Sequence, residues 1–201
     1  MSQMSSGIRS LTSAPFKKGG RRVVVKTLTF KGVKEPRLRF DKTALGLVKR
    51  LQTKLAKSIP DGRTVVTTIT APIRQDSKTG SVLEGRIQEL LATGRGRLKT
   101  TIYGNRIQVR VLKGGAIRTT KLIGFVHNPE PGPEILFDVT RSALACIGSN
   151  KRSTGADRWL IITNQHDDAP VETIRQVCLA LRARTVFKRI LLAEDDGFRV
   201  V

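Results

Sequence analysis

A mixed α/β or α+β fold on one mixed sheet is what this chain of 201 residues predicts, and three observations predict it. Short β-branched runs alternate with stretches of helical period. Residues 97–127 read as an antiparallel meander. The carboxy-terminal part runs strand, helix, strand, hairpin, an order that calls for a parallel crossover. With 39% hydrophobic residues the chain can bury a sizeable core. The expected organisation is a basic flexible arm over 1–20 and a single globular domain over 21–201, basic to about residue 127 and charge-neutral over 128–201.

The arm is expected because "SGIRSLTSAPF" carries only a weak helical stripe and "KKGGRR" is broken by glycine. "RRVVVKTLTFKGV" at 21–33 reads as a strand through its β-branched Val23–Val25. "KEPRLRF" is extended, since Pro36 disfavours helix in the residue before it. Asp41 or Thr43 then caps a helix to about Lys57. Leu47, Val48, Leu51 and Leu55 make its apolar stripe, and Lys49, Arg50, Lys54 and Lys57 lie largely off it. "RTVVTTITA" at 63–71 is a β-branched strand. After "PIRQDSKTG", the "SVLE" stretch reads as a capping box, with Ser81 as N-cap and Glu84 three residues on, opening a helix that ends at Gly94.

Two strands at about 97–103 and 106–112 hinge on Gly104 and Asn105, and "IRTTKLIGFVH" supplies a third. The Pro-rich "NPEPGPE" marks the change to the neutral part. "ILFDV" reads as a strand and "TRSALACIG" as a short helix. "RWLIIT" is a strand, "PVETIRQVCLALRAR" a helix with Pro170 in its first turn, and "VFKRILLAE" a strand turning at Asp196–Gly197 into "FRVV".

Charge carries the functional expectation. The chain holds 37 Lys+Arg and 16 Asp+Glu, net +21, which favours a polyanionic partner. Residues 1–57 hold 15 basic residues against 2 acids, 58–125 hold 12 against 4, and 126–201 hold 10 against 10. A chain made basic only for solubility has no reason to confine its excess to one end. The expected partner is therefore nucleic acid, duplex DNA or structured RNA. A protein partner or a second copy would dock through residues 128–201.

"RGRLKTTIYGNRIQVR" at 95–110 concentrates that charge. Strand alternation points Arg95, Arg97 and Lys99 one way and Leu98 and Thr100 the other; Arg106, Gln108 and Arg110 likewise oppose Ile107, Val109 and Val111. No acid occurs between Glu89 and Glu130. Ordinary solvated faces mix signs, and like charges across a hairpin repel unless an anion screens them. The expected nucleic-acid contacts are thus Lys17, Lys18, Arg21 and Arg22 of the amino-terminal segment, Lys49, Arg50 and Lys54 of the first helix, Arg74 and Lys78 before the second, and Arg95, Arg97, Lys99, Arg106 and Arg110 of the hairpin. Aromatics are only 4%, so phosphate contact is expected over base stacking. The loop at 72–81 resembles a P-loop only in layout, because its glycine follows the lysine.

Two alternatives stand beside this reading. One is a structural component of a nucleic-acid-containing assembly. The other is a metal-dependent nuclease or phosphoryl-transfer enzyme in which His127, Asp138, His166, Asp167 and Asp168 gather at strand ends; only that alternative calls for a cofactor, a divalent metal. A nuclease with Glu84 as helix acid and Asp138 as strand acid lacks the acid-x-Lys element, since "DVTR" stands in its place. The "NQHDDAP" stretch also reads as a polar loop with Asp168 capping a helix. Cys146 and Cys178 sit in apolar segments and read as buried thiols of a reducing compartment. Trp159 reads as core. No apolar run approaches the roughly 18 residues of a membrane span. The expected location is the cytoplasm or nucleoid, and an acid-free first 34 residues fits an organelle import signal as well as an arm.

Overall fold

The computed structural model describes residues 11–18, 21–30, 37–39, 41–114, 119–130, 132–148, 157–164, 171–183, 186–194 and 197–201, with backbone pairing alone over 11–30. The fold is mixed α/β, with four helices and two mixed sheets among these residues. No described helix is long and apolar enough to cross a membrane. The chain divides into two compact units, 1–35 with 138–201, and 36–137.

The second unit begins with an extended segment at 37–39, whose Leu38 bridges to His127. Helix α1 (Lys42–Leu55) follows, with Asp41 as N-cap accepting from the Thr43 amide at 2.9 Å. Strand β3 (Arg63–Thr70) leads to helix α2 (Asp76–Ala92), then β4 (Arg97–Ile102), β5 (Asn105–Lys113) and β6 (Leu122–His127). The strand order is β4-β5-β3-β6. The antiparallel run is thus β4-β5-β3, and β6 joins parallel to β3 on its far side instead of extending the hairpin as the third strand of the expected meander.

Alternation gives this sheet two chemically different faces. Val65 and Ile69 of β3, Ile107 and Val109 of β5, Ile102 of β4 and Leu122 of β6 are buried in one core with Leu47, Leu51 and Leu55 of α1 and Leu83, Ile87 and Leu90 of α2. Each fully buried leucine or isoleucine there contributes about 1.5–3 kcal/mol. The close approach of α1 depends on Gly124: a Cβ at that position would stand 2.4 Å from Val48 Cγ2.

Helix α2 starts at Asp76 with Gln75 at its cap position, well ahead of the expected cap Ser81, which lies within the helix. Thr79, fully buried, explains the early start: its Oγ1 donates to the Arg74 carbonyl at 2.9 Å, tying the first turn down. The hairpin turn is Tyr103–Gly104, both at positive φ, and Asn105 is the first residue of β5. Asn105 belongs to the strand because its buried amide is used inward. Its Nδ2 donates to the Arg74 carbonyl at 2.9 Å and to Thr79 Oγ1 at 3.0 Å, and its Oδ1 accepts from the Arg74 amide at 2.8 Å.

In the first unit the order is β1-β2-β7-β8-β9, formed by β1 (Leu11–Lys18), β2 (Arg21–Phe30), β7 (Asp157–Asn164), β8 (Arg189–Glu194) and β9 (Gly197–Val200). Residues 11–18, placed in the arm by the sequence, pair antiparallel with β2, Lys18 opposite Arg21. A Gly-Gly pair between two strand-forming runs is a hairpin signal that the weak patterning of 8–16 masks. β2 and β7 pair parallel, as do β7 and β8, while β8 and β9 are antiparallel. With helix α4 (Val171–Ala180) between β7 and β8, this is the expected strand-helix-strand-hairpin. It shares a sheet with β2, so one expected sheet is two.

Helix α3 (Glu134–Gly148) takes in "ILFDV" as well as the segment after it, correcting the expected strand there. Ile135, Leu136, Val139, Ala143, Cys146 and Ile147 are all buried, and their spacing is a helical stripe that continues through both segments. Pro133 starts it, its carbonyl accepting from the Leu136 amide at 3.0 Å.

Candidate nucleic-acid interface

The comb of 95–110 occupies the face of the β4-β5-β3-β6 sheet opposite α1 and α2. In register, Arg97 stands across from Arg110, Lys99 from Gln108 and Thr101 from Arg106. Arg97, Lys99 and Arg106 are exposed, and Arg95 is exposed just before β4. Among the described residues no carboxylate pairs with any of these four. Arg110 differs: it pairs with Glu134, and its guanidinium lies 4.3 Å from the centre of the Phe137 ring. That pairing removes the like-charge repulsion between Arg97 and Arg110 and withdraws one cation from the comb.

The remaining candidates are distributed elsewhere. Arg50 pairs with Asp76 at 3.3 Å and Lys54 with Glu84 at 2.8 Å, bridging α1 to α2 on the helix-covered side. Lys49 is exposed on the same helix. The structure therefore does not bring the α1 cations onto the comb face. Lys78 is exposed in the first turn of α2, and the Arg74 guanidinium lies against the hairpin turn, 3.0 Å from where a Gly104 Cβ would stand. Lys17, Lys18, Arg21 and Arg22 stand at the closed end of the β1–β2 hairpin in the other unit.

Of the proposed catalytic set, His127 ends β6 as expected and is 2% exposed. Its Nδ1 is hydrogen-bonded to the Asn128 carbonyl, which can only accept, so Nδ1 carries the proton and Nε2 the lone pair. Burial above all, with the nearby Arg106 cation, holds its pKa below the ordinary 6.5 against the pull of that carbonyl. Asp138 lies in α3, where it pairs with Arg141 at 3.3 Å, and not at a strand end. His166, Asp167 and Asp168 lie outside the described residues. Among the described residues, no three His, Cys, Asp or Glu side chains group so as to hold a metal ion.

The sequence placed Gln108 on the comb face by alternation but did not single out Thr68. Both lie on the comb face, opposite one another in the β3–β5 register. They line a depression of about 430 Å³ together with Lys99, Arg106, His127, Pro129, Glu130 and Pro133. No motif flags them, because their significance comes from the pairing of strands distant in sequence. Compared with family models, with curated proteins and with solved structures, the chain has no match.

Proposed function

We propose that this protein binds nucleic acid through the phosphate backbone, with the comb face of the β4–β5 hairpin as its principal contact. One observation carries the reading: Arg97, Lys99 and Arg106 stand exposed on one sheet face, with Arg95 exposed just before β4, and among the described residues no carboxylate pairs with any of the four, while the other side of the same strands is sealed under α1 and α2. A solvated surface with no partner gains nothing from aligned like charges. A polyanion turns that repulsion into attraction and releases condensed counterions as it binds. Rigid strands hold the cations in fixed register, so the contact is made without first ordering a loop.

A titration of a short DNA duplex against salt tests this. Four engaged cations give a slope of log K on log salt of about −3.6 from the hairpin alone. A flat salt response, or no binding at low salt, would overturn the proposal.

A further inference from the structure

The depression in the comb face brings together charges of both signs that do not pair. Lys99 of β4 and Arg106 of β5 contribute cations from the sheet, and Glu130 contributes a carboxylate from the segment after β6. All three residues are exposed, so a ligand in the depression can reach them. Among the described residues none of the three takes part in an ion pair. Glu130 therefore lines the same concavity as the two cations but stands beyond ion-pair reach of either. Thr70 fixes the cationic side, because its Oγ1 accepts from the Arg106 amide at 3.2 Å and ties the start of β5 to β3.

The two signs call for different ligand chemistry. Lys99 faces Gln108 and Thr101 faces Arg106, so Lys99 and Arg106 are diagonal neighbours on one hairpin face, about 7–8 Å apart. Two long basic side chains at that spacing can both donate to one phosphate. Glu130 repels a second phosphate and, having acceptors only, calls for N–H donors. A nucleotide supplies both, an anion at one end and the edge of a base at the other. Guanine fits the carboxylate best, because its N1–H and N2 amine are adjacent parallel donors that match the two carboxylate oxygens. Adenine, cytosine and thymine each set a single donor group beside ring or carbonyl acceptors, which a carboxylate repels. A volume of about 430 Å³ accommodates one nucleotide unit. In a duplex this edge of guanine is taken by its paired base, so the nucleotide must come from a single-stranded stretch, a loop or an end.

We propose that this depression takes one unpaired guanine nucleotide, with its phosphate between Lys99 and Arg106 and its Watson–Crick edge on Glu130. The inference rests on the phosphate-binding reading and adds a base preference to it.

The test is fluorescence anisotropy on the full chain with labelled thymidine oligomers of about nine nucleotides, differing only in whether the central base is guanine, inosine, adenine or thymine. The expected result is the guanine oligomer bound roughly tenfold more tightly than the adenine or thymine oligomer. Inosine, which keeps N1–H and lacks the N2 amine, falls between. Glu130→Gln abolishes the preference and, by removing a negative charge, tightens binding of the thymine oligomer. Equal affinity of the wild type for the guanine and adenine oligomers, or a guanine preference that survives Glu130→Gln, overturns the guanine assignment, while salt-dependent binding of all the oligomers leaves the phosphate reading standing. No binding to any oligomer or to a duplex at low salt overturns both.

Discussion

Replacing Arg97, Lys99 and Arg106 together by glutamine removes from the comb face three exposed cations that no carboxylate pairs among the described residues, while keeping polar side chains at all three positions. Each phosphate contact releases about 0.9 of a counterion, which at about 0.15 M salt is worth close to 1 kcal/mol. Three contacts therefore amount to about 3 kcal/mol, or roughly 150-fold in affinity, and reduce the salt slope by about 2.7. The difference in slope is the sharper quantity, because it is independent of whatever the amino-terminal cations add. The assay is fluorescence anisotropy of a labelled duplex over a range of salt, with circular dichroism to establish that the variant is folded. A matched triple of Lys49, Arg50 and Lys54 to glutamine on α1 serves as the comparison, since Arg50 and Lys54 are already paired with Asp76 and Glu84. An unchanged slope in the hairpin variant, or an equal loss in the α1 variant, would refute the assignment of binding to the comb face.

Other perturbations test the architecture that displays this face. Gly124→Ala puts a methyl group 2.4 Å from Val48 Cγ2; it should cost about 1–3 kcal/mol in urea denaturation, and adding Val48→Ala should recover part of that. Asn105→Ala leaves the part-buried Arg74 amide without its side-chain acceptor and the Arg74 carbonyl with Thr79 Oγ1 as its one remaining side-chain donor and should cost about 2 kcal/mol, with hydrogen exchange accelerating first around the 72–79 loop. His127 has a pKa held below 6.5 mainly by burial, so the unfolded chain binds its proton more readily than the folded one. Stability is then full above about pH 6.5 and falls as pH drops below it. Urea midpoints across that range should show the loss in the wild type and a flatter profile in His127→Gln, whereas parallel profiles would count against this origin.

The legible parts of the fold are those governed by local physics. Asp41 caps α1 as its side-chain chemistry requires, the Leu47, Leu51, Leu55 stripe is buried, and β-branched 63–70 forms a strand. Errors arose where two local signals compete. The run Ile135–Val139 has the composition of a strand and the period of a helix, and only its continuity with Ala143, Cys146 and Ile147 decides between them. "SVLE" has a genuine capping-box pattern, but α2 starts ahead of it, with the buried Thr79 bonded to Arg74 and Asn105, neither of which local sequence can reveal. The separation into two sheets is less accessible still, because β2 pairs with β7 across more than half the chain.

The same distinction bears on the candidate site. Which residues of 95–110 share a face follows from strand alternation and is readable without a structure; which of them keep their charge available is not. Arg110 looks equivalent to Arg97 in the comb, yet Glu134 and Phe137 hold it, and those two residues come from a helix the sequence reads as beginning later. Arg50 and Lys54 look like an ideal basic helix face, yet α2 brings Asp76 and Glu84 to them. A formal net charge of +21 therefore overstates what these two elements can offer a phosphate backbone. Once internal ion pairs are removed from α1 and the hairpin, the cations without a paired carboxylate among the described residues are Arg97, Lys99 and Arg106 on one sheet surface and Arg95 just before β4, and Lys99 and Arg106 also line the depression beside β6. The proposed phosphate contact therefore rests on a few cations held in register by rigid strands, and not on the total charge of the chain.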